Sequence, residues 1–204
     1  MIDKTPSADA MRGWVKSHRD KNTPIQQFDI GIDANGQWFH EGSPIQREKL
    51  VKLFASILTR LENGAYALVT PAEIGTITVE DAPFIVTKMD IENRNDDTGD
   101  GMNTNPETDR MIRLTTSVGD TITLDADHQI ILREYDGMEK PYIQIRDGLD
   151  AVINRAVFYE MAEHSVVYHG QIGIWSSGLF HPLSSQAVDE DQMPDTLHAD
   201  KPAS

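Results

Sequence analysis

The stretch FDIGIDANGQWFHEGSPIQREKLVKLFASILTRLENG, residues 28–64, decides the fold class, because it holds signals for strands and for a helix. Apolar and polar residues alternate over Phe28–Ile32, and Asn35-Gly36 then leads into Trp38-Phe39. Asn-Gly accepts a positive φ at both positions, which makes it a strong hairpin signal between two such runs. The first part of the stretch therefore predicts a β-hairpin.

A capped amphipathic helix is predicted directly after the hairpin. Ser43-Pro44-Ile45-Gln46 has the capping-box pattern with proline at the first helical position, and Asn63-Gly64 supplies the stop. The apolar residues between these signals fall on one helical face: Leu50, Leu53, Phe54, Ile57, Leu58 and Leu61. We therefore predict a helix over Ser43–Leu61 that buries this stripe, and an α+β fold.

The rest of the chain repeats the mixture of strands and single helices. Ser7 is a plausible cap for a short N-terminal helix, and Asp147 is predicted to cap a helix that runs to His164. Strand-like runs occupy Ala65–Val69, Ile74–Val79, Phe84–Met89, Met111–Leu114, Thr121–Leu124, Ile130–Leu132, Tyr142–Ile145 and Gly173–Trp175. The predicted organisation is an N-terminal segment (1–22), a first α+β domain (23–91), an acidic linker (92–109), a second α+β domain (110–183) and a disordered acidic tail (184–204).

Composition excludes several classes of partner and site. The 204 residues include 18 Lys and Arg against 33 Asp and Glu, a net charge of −15, which disfavours nucleic acid and anionic membranes. Without cysteine the chain has no disulfide, no thiol nucleophile and no cysteine-bound metal. No stretch approaches the length of a membrane span, and the N-terminus lacks an apolar signal region. We expect a cytoplasmic protein.

The motifs that would identify an enzyme or a metal site are incomplete. Asp96–Glu107 resembles a calcium loop, but Thr98 occupies the third ligand place and neither flank is helical, so we interpret it as a solvated linker. His164 and His169 do not have the spacing of a zinc pair on a helix, and Ser176-Ser177-Gly178 is not a nucleophile elbow. Neither a dinucleotide-binding nor a P-loop pattern occurs. We expect no cofactor and no metal.

Aromatic and basic residues at the ends of predicted elements are the remaining candidates for a site. Arginines from several elements could converge on an anionic ligand, because guanidinium forks match phosphate and carboxylate groups. The alternative interpretation is that the tryptophans lie in the core and the arginines face water. The candidates are Trp38, His40, Arg47, Tyr66, Arg113, Arg133, Tyr142, Arg146, Arg155 and Trp175.

A set of phrases along the chain resembles the bacterial "domain of unknown function 1285" family. In order, the phrases are 36–45 (GQWFHEGSPI) with Arg47, 66–73 (YALVTPAE), 79–84 (VEDAPF), 118–120 (VGD), 141–149 (PYIQIRDGL) and 173–178 (GIWSSG). The resemblance spans about Phe28 to Leu183. It implies two packed α+β domains from a duplication, the second similar to a pleckstrin-homology-like barrel. It also implies a small-molecule site, perhaps nucleotide-like, between the domains and a role in signal transduction.

The sequence and this resemblance together predict a non-enzymatic module that binds a small anionic ligand between its domains. The predicted ligand-binding residues are Trp38, His40, Arg47, Glu73, Tyr142, Arg146 and Trp175, with Arg47 or Arg146 as the anion clamp. Two alternatives stay open. One is a hydrolase of a phosphorylated compound that uses Glu73, Glu80 or His40 as acid or base. The other is a protein-interaction module that presents a sheet edge.

Overall fold

The computed structural model describes residues 6–93 and 110–187. Most of the predicted linker and the tail from residue 188 onward lie outside the described residues. The helices are α1 (Ala8–Asp20), α2 (Glu48–Ser56) and α3 (Arg155–Glu163). The strands are β1 (Gln26–Ile32), β2 (Trp38–His40), β3 (Ser43–Pro44), β4 (Leu58–Arg60), β5 (Tyr66–Val69), β6 (Ile74–Val79), β7 (Phe84–Asn93), β8 (Arg110–Thr116), β9 (Thr121–Thr123), β10 (Ile130–Tyr135), β11 (Met138–Arg146), β12 (Leu149–Ile153), β13 (Val166–Tyr168), β14 (Gln171–Ser176) and β15 (Leu179–Ala187).

The chain divides into two compact units. The first unit comprises the described residues up to Ile85 together with Ser117–Asp120 and Gln144–Ala151, and the second unit comprises the other described residues. The fold class is α+β with two domains, as predicted, and one sheet curls as a half-barrel. No helix among the described residues is long and apolar enough to cross a membrane.

The first unit is built on a six-stranded sheet with the order β3-β2-β1-β6-β5-β4. The β1–β2 hairpin is confirmed, with Ile32 opposite Trp38, although only Gly36 of its turn has a positive φ. On the other side β1 runs parallel to β6. Helix α1 is capped by Ser7, whose Oγ accepts a hydrogen bond from the Ala10 backbone N–H, and its apolar side packs on the core cluster around Val69.

The predicted Ser43–Leu61 helix is wrong at both ends. Ser43-Pro44 forms β3 opposite β2, because Glu41-Gly42 adopts positive φ values and turns the chain back on itself. The helix begins only at Glu48 and ends at Ser56. Ile57 and Leu58 are buried because Leu58–Arg60 continues as β4 beside β5, not because they share a helical stripe, and Leu53 of the predicted stripe is 38% exposed.

The remaining strands form two further sheets. A six-stranded sheet has the order β10-β11-β12-β7-β8-β9, and a three-stranded antiparallel sheet has the order β13-β14-β15. Strand β15 extends to Ala187, opposite Gln171, so residues 184–187 of the predicted disordered tail belong to a strand. Leu183 is buried in this strand and anchors it.

The predicted Asp147–His164 helix is also shorter than expected. Asp147 and Gly148 both have positive φ values and form the tight turn between β11 and β12. The apolar run that follows is the buried strand β12, in which all five residues are buried. Helix α3 starts only at Arg155, and the side chain of Asn154 caps it by accepting a hydrogen bond from the Val157 backbone N–H at 2.8 Å.

Candidate functional site

A cavity of about 670 Å³ opens beside β1 in the first unit. Its origin is an irregularity in the pairing of β1 with β6. Gln27 lies opposite Thr76, but the next pair is Gly31 with Thr78, so three residues of β1 stand against one residue of β6. We call this space the β1 cavity. The lining residues on which the argument rests are Phe28, Asp29, Gly31, Asp33, Phe39 and Glu80.

Two carboxylates hold the wall of the β1 cavity in place. Asp33 Oδ1 accepts hydrogen bonds from the backbone N–H groups of Asn35 at 2.9 Å and Gln37 at 2.8 Å. Glu80 Oε2 accepts one from the Ala34 backbone N–H at 3.0 Å. These contacts fix the β1–β2 turn by the geometry of an Asx-turn and a side-chain bridge. Hydrogen bonds within the chain therefore hold this part of the cavity wall.

The charge of the β1 cavity is negative. Asp29, Asp33 and Glu80 line it, and no lysine, arginine or histidine is among its lining residues. Phe28 and Phe39 add apolar surface. Carboxylates clustered in a concave space repel anions and attract cations. The space suits an uncharged polar or a cationic molecule rather than the anionic ligand that the sequence predicted.

The predicted site residues of the first unit lie at separate places. Trp38 is 1% exposed and stacks on Phe54 of α2, with ring centroids 6.2 Å apart, so its ring belongs to the core. His40 is exposed at the end of β2. Arg47 is exposed at the start of α2, and Glu73 is exposed in the turn before β6. None of these four residues is among those that line the β1 cavity.

Arg146, the predicted anion clamp, is engaged in contacts within the first unit. Its Nη1 lies 3.0 and 3.1 Å from the two carboxylate oxygens of Asp120, and its Nη2 donates to the backbone oxygen of Ala55 at 2.6 Å. The guanidinium also lies over the ring of Phe84, 5.3 Å from its centroid. Ala55 is in the last turn of α2, where a cation is favourable. These contacts give Arg146 a structural role.

Tyr142 and Trp175, the predicted residues of the second unit, lie on different sheets. Tyr142 is 3% exposed in β11, and the guanidinium of Arg133 covers its ring at 4.5 Å. Trp175 is half-buried in β14 and packs edge-on against Tyr168 and Phe180, with ring centroids 5.0 and 5.5 Å away. Each ring is thus engaged by neighbours of its own sheet.

Ser176, His181 and Asp125 have the composition of a catalytic triad but not its contacts. Ser176 Oγ is buried, accepts from the Ile112 backbone N–H and donates to the Leu124 oxygen at 2.6 Å, so its hydroxyl is fully used. His181 interacts with the backbone of Ser176 rather than its hydroxyl. A serine without exposure and without a base on its hydroxyl is not a nucleophile.

The same residues show how burial shapes titration in the second unit. Burial lowers the pKa of His181 and outweighs the Ser176 backbone and the Asp125 carboxylate, which favour the charged ring. His181 Nε2 is buried and accepts no hydrogen bond among the described residues. Although its burial opposes ionisation, hydrogen bonds from His128 and Asp127 lower the pKa of Asp125.

The described residues contain no group of three or more histidine, aspartate or glutamate side chains arranged to hold a metal ion. The calcium-loop pattern at residues 96–107 lies outside the described residues, so its predicted inactivity stays a prediction.

The β1 cavity was missed at the sequence level, although one signal for it exists. Gly31 is an isolated glycine within the alternating run Phe28–Ile32, and such a glycine often marks a bulge or a close approach of the backbone.

Comparison with known proteins gives a consistent result. Residues 18–82 match the family model described as "Domain of unknown function (DUF1285), N-terminal domain", and residues 83–183 match "Protein of unknown function (DUF1285), C-terminal domain". A crystal structure of a DUF1285 family protein from Silicibacter pomeroyi DSS-3 is similar, with 31% identity, a TM-score of 0.71, and coverage of 93% of this chain and 91% of that chain. A DUF1285 family protein from Shewanella baltica OS155 is 27% identical, with a TM-score of 0.48 over 66% of this chain and 91% of that chain. No protein of curated function matches.

Proposed function

Because this chain belongs to the DUF1285 family, whose function is unknown, we propose from its own geometry that it is a non-enzymatic module that binds a small molecule in the β1 cavity. The observation that carries the proposal is the cavity itself. Its volume of about 670 Å³ falls within the range that small-molecule sites occupy, about 300–1,000 Å³. Its mixture of aromatic and polar walls is typical of such sites.

The chemistry of the walls supports binding without turnover. Two of the three carboxylates, those of Asp33 and Glu80, accept backbone hydrogen bonds that hold the β1–β2 turn. Those groups orient the wall instead of standing ready to transfer a proton. Asp29 and Glu80 are both exposed, and Asp29, which does not hold the turn, supplies a point of attachment for a polar ligand.

The ligand class that we propose is an uncharged polar or cationic small molecule. The Phe28 and Phe39 rings supply apolar contact, while Asp29, Asp33 and Glu80 disfavour phosphate and carboxylate groups. This class differs from the anionic ligand that the sequence and the resemblance together predicted, for which the resemblance implied a perhaps nucleotide-like molecule. The role in signal transduction that the resemblance implies is consistent with a binding module and stays a prediction.

A thermal-shift screen tests the proposal. The protein is melted with two sets of small metabolites, one uncharged or cationic and one anionic, each at millimolar concentration. We expect at least one member of the first set to raise Tm by about 2 °C or more, since a ligand that binds only the folded state stabilises it. Incubation of each hit followed by chromatography shows whether it is turned over, which would favour the hydrolase alternative.

Two matched variants locate the binding. Gly31→Leu adds a side chain to a residue that lines the β1 cavity, and a Cβ there would meet only the Thr78 backbone oxygen, at 3.8 Å. Gly13→Leu makes the same change in α1, where nothing lies within 4 Å of a Cβ. The hit should lose its effect with Gly31→Leu and keep it with Gly13→Leu. Hits confined to the anionic set, or a shift unchanged by Gly31→Leu, would contradict the β1 cavity as the site.

A further inference from the structure

The β10–β11 hairpin of the second unit places like charges directly opposite each other. Arg133 lies opposite Lys140, and at the next position Glu134 lies opposite Glu139. Like charges at opposed positions destabilise a strand pair, whereas the alternative arrangement with one Arg–Glu and one Lys–Glu pair would stabilise it. The hairpin thus sorts its charges by sign instead of pairing them.

Because side chains alternate between the faces of a sheet, this sorting creates a cationic face. We define the cationic face by Ile131, Arg133 and Tyr135 of β10 with Met138, Lys140 and Tyr142 of β11. Ile131 (44% exposed), Met138 (59% exposed) and Arg133 form the exposed part of this face, whereas Tyr142 is buried with the Arg133 guanidinium over its ring. The opposite face carries the two glutamates and turns Ile130 and Ile143 into the core.

Aromatic rings hold both cations in position. The Arg133 guanidinium lies 4.5 Å from the centroid of the Tyr142 ring, and Lys140 Nζ lies 3.9 Å from the centroid of the Tyr135 ring. Such cation–π contacts fix the side chains and reduce the entropy that a partner would have to remove. Arg133 and Lys140 also have other contacts within the chain, so a partner adds to these contacts or exchanges with them.

We propose that the cationic face docks an acidic, extended segment of another polypeptide chain. Charge complementarity favours such a segment, because Arg133 and Lys140 lie side by side on a chain with 33 acidic and 18 basic residues. The exposed Ile131 and Met138 flank the cations on the same face and match a segment whose carboxylates alternate with apolar side chains. Nucleic acid and anionic membranes are disfavoured as partners because they present a much denser negative charge than a short acidic segment, and the net charge of −15 repels them more strongly.

A defined peptide tests this docking on the full chain. The probe is a fluorescein-labelled dodecapeptide of alternating glutamate and leucine, and its control has glutamine at every glutamate position. Fluorescence anisotropy should show binding of the glutamate peptide that weakens about tenfold or more between low and high salt, because the contacts are ionic. The glutamine peptide should bind at least tenfold more weakly. Equal binding of the two peptides, or no binding of the glutamate peptide at millimolar protein, overturns the proposal.

Matched variants distinguish the cationic face from general electrostatics. Arg133→Gln with Lys140→Gln should weaken binding of the glutamate peptide about tenfold or more. Arg113→Gln with Arg155→Gln lowers the net charge by the same amount at exposed positions of β8 and α3 and should change affinity less than twofold. Equal loss in both double variants overturns the proposal. Backbone chemical shifts of the wild-type chain give a second measurement. The glutamate peptide should shift amide signals of residues 130–143, and the proposal fails if all of the shifted amides lie outside this range.

Competition separates a peptide partner from a simple anion. Inorganic phosphate at tens of millimolar, at matched ionic strength, should leave the affinity for the glutamate peptide within twofold. If phosphate displaces the peptide stoichiometrically, the face is a site for small anions and the docking proposal is wrong.

Discussion

Arg146 shows why the environment of a residue outweighs its type. The sequence predicted it as the clamp of an anionic ligand. In the structure its guanidinium joins Asp120, the end of α2 at Ala55 and the ring of Phe84. The ion pair is only 27% and 30% exposed, so solvent screens it less than a surface pair. A residue with these contacts organises the first unit.

We therefore predict that Arg146→Ala lowers the free energy of unfolding by about 1–3 kcal/mol, because it leaves the Asp120 carboxylate and the Ala55 carbonyl without this donor. Urea denaturation measures the change. Arg113→Ala is the control, since its ion pair with Glu92 is 45% and 46% exposed and should contribute less than about 1 kcal/mol. Equal effects of the two substitutions would remove the structural role assigned to Arg146.

His181 makes the stability of the second unit depend on pH. Burial holds its folded pKa below the ordinary value of 6.5, while the unfolded chain has that ordinary value. The unfolded state therefore takes up a proton first as pH falls. The stability is complete above about pH 6.5 and declines below it until the lower folded pKa is reached.

Thermal melts between pH 7.5 and 5 test this prediction. The wild-type Tm should fall over this window, and His181→Gln should show a flatter decline than the wild type. His164→Gln, which changes an exposed histidine at the end of α3, should keep the wild-type slope. A His181→Gln profile that parallels the wild type would mean that another group controls the acid sensitivity.

At the scale of elements, the burial of residues in α2 and β4 predicts a different ranking of substitutions from the one that a continuous Ser43–Leu61 helix would give. Leu58 is fully buried in β4, whereas Leu53 of α2 is 38% exposed. Leu58→Ala should destabilise the protein by about 2–5 kcal/mol through the cavity it creates. Leu53→Ala should cost less than about 1 kcal/mol, as exposed positions usually do. If the urea midpoints show that Leu53→Ala destabilises the protein more than Leu58→Ala, the result would support the continuous Ser43–Leu61 helix instead.

The elements that the sequence predicted well are those set by local chemistry. The Ser7 cap, the β1–β2 hairpin and strand β6 each depend on neighbouring residues, and each is present. The predicted ends of the second and third helices were wrong because residues that cap helices also occur in tight turns. Ser43-Pro44 follows the Glu41-Gly42 turn and pairs with β2, and Asp147 belongs to a turn rather than a cap. Whether such a segment forms a helix or a strand depends on strands that are distant in sequence, and a single sequence does not show which strands pair.

The site illustrates the same limit. Nothing in the local pattern around Gly31 states that β1 will pair with β6 or that the pairing will skip residues there. The predicted site residues are aromatic or polar side chains near the ends of predicted elements. In the structure Trp38 packs in the core and Arg146 forms an ion pair with Asp120. Family and fold class were nevertheless predictable, because the quoted phrases extend along most of the chain and both family models match it.

On the scale of the whole molecule, the excess of acidic residues is distributed unevenly. The β1 cavity of the first unit is lined by carboxylates without a basic side chain, while Arg133 and Lys140 lie on one face of the β10–β11 hairpin in the second unit. The two proposals thus concern ligands of different charge and different size. They depend on separate residues, so either can fail alone.

The binding of a small molecule in the β1 cavity is the central claim, and an amide NMR titration tests it most directly. The ¹⁵N-labelled protein is titrated with a hit from the uncharged or cationic set. We expect concentration-dependent shifts of the Gly31 and Gly42 amides, which belong to the cavity lining, while the Gly119 and Gly137 amides stay unchanged. Shifts confined to Gly119, Gly137 or other residues away from β1, with the Gly31 and Gly42 signals unchanged, would contradict binding in the β1 cavity.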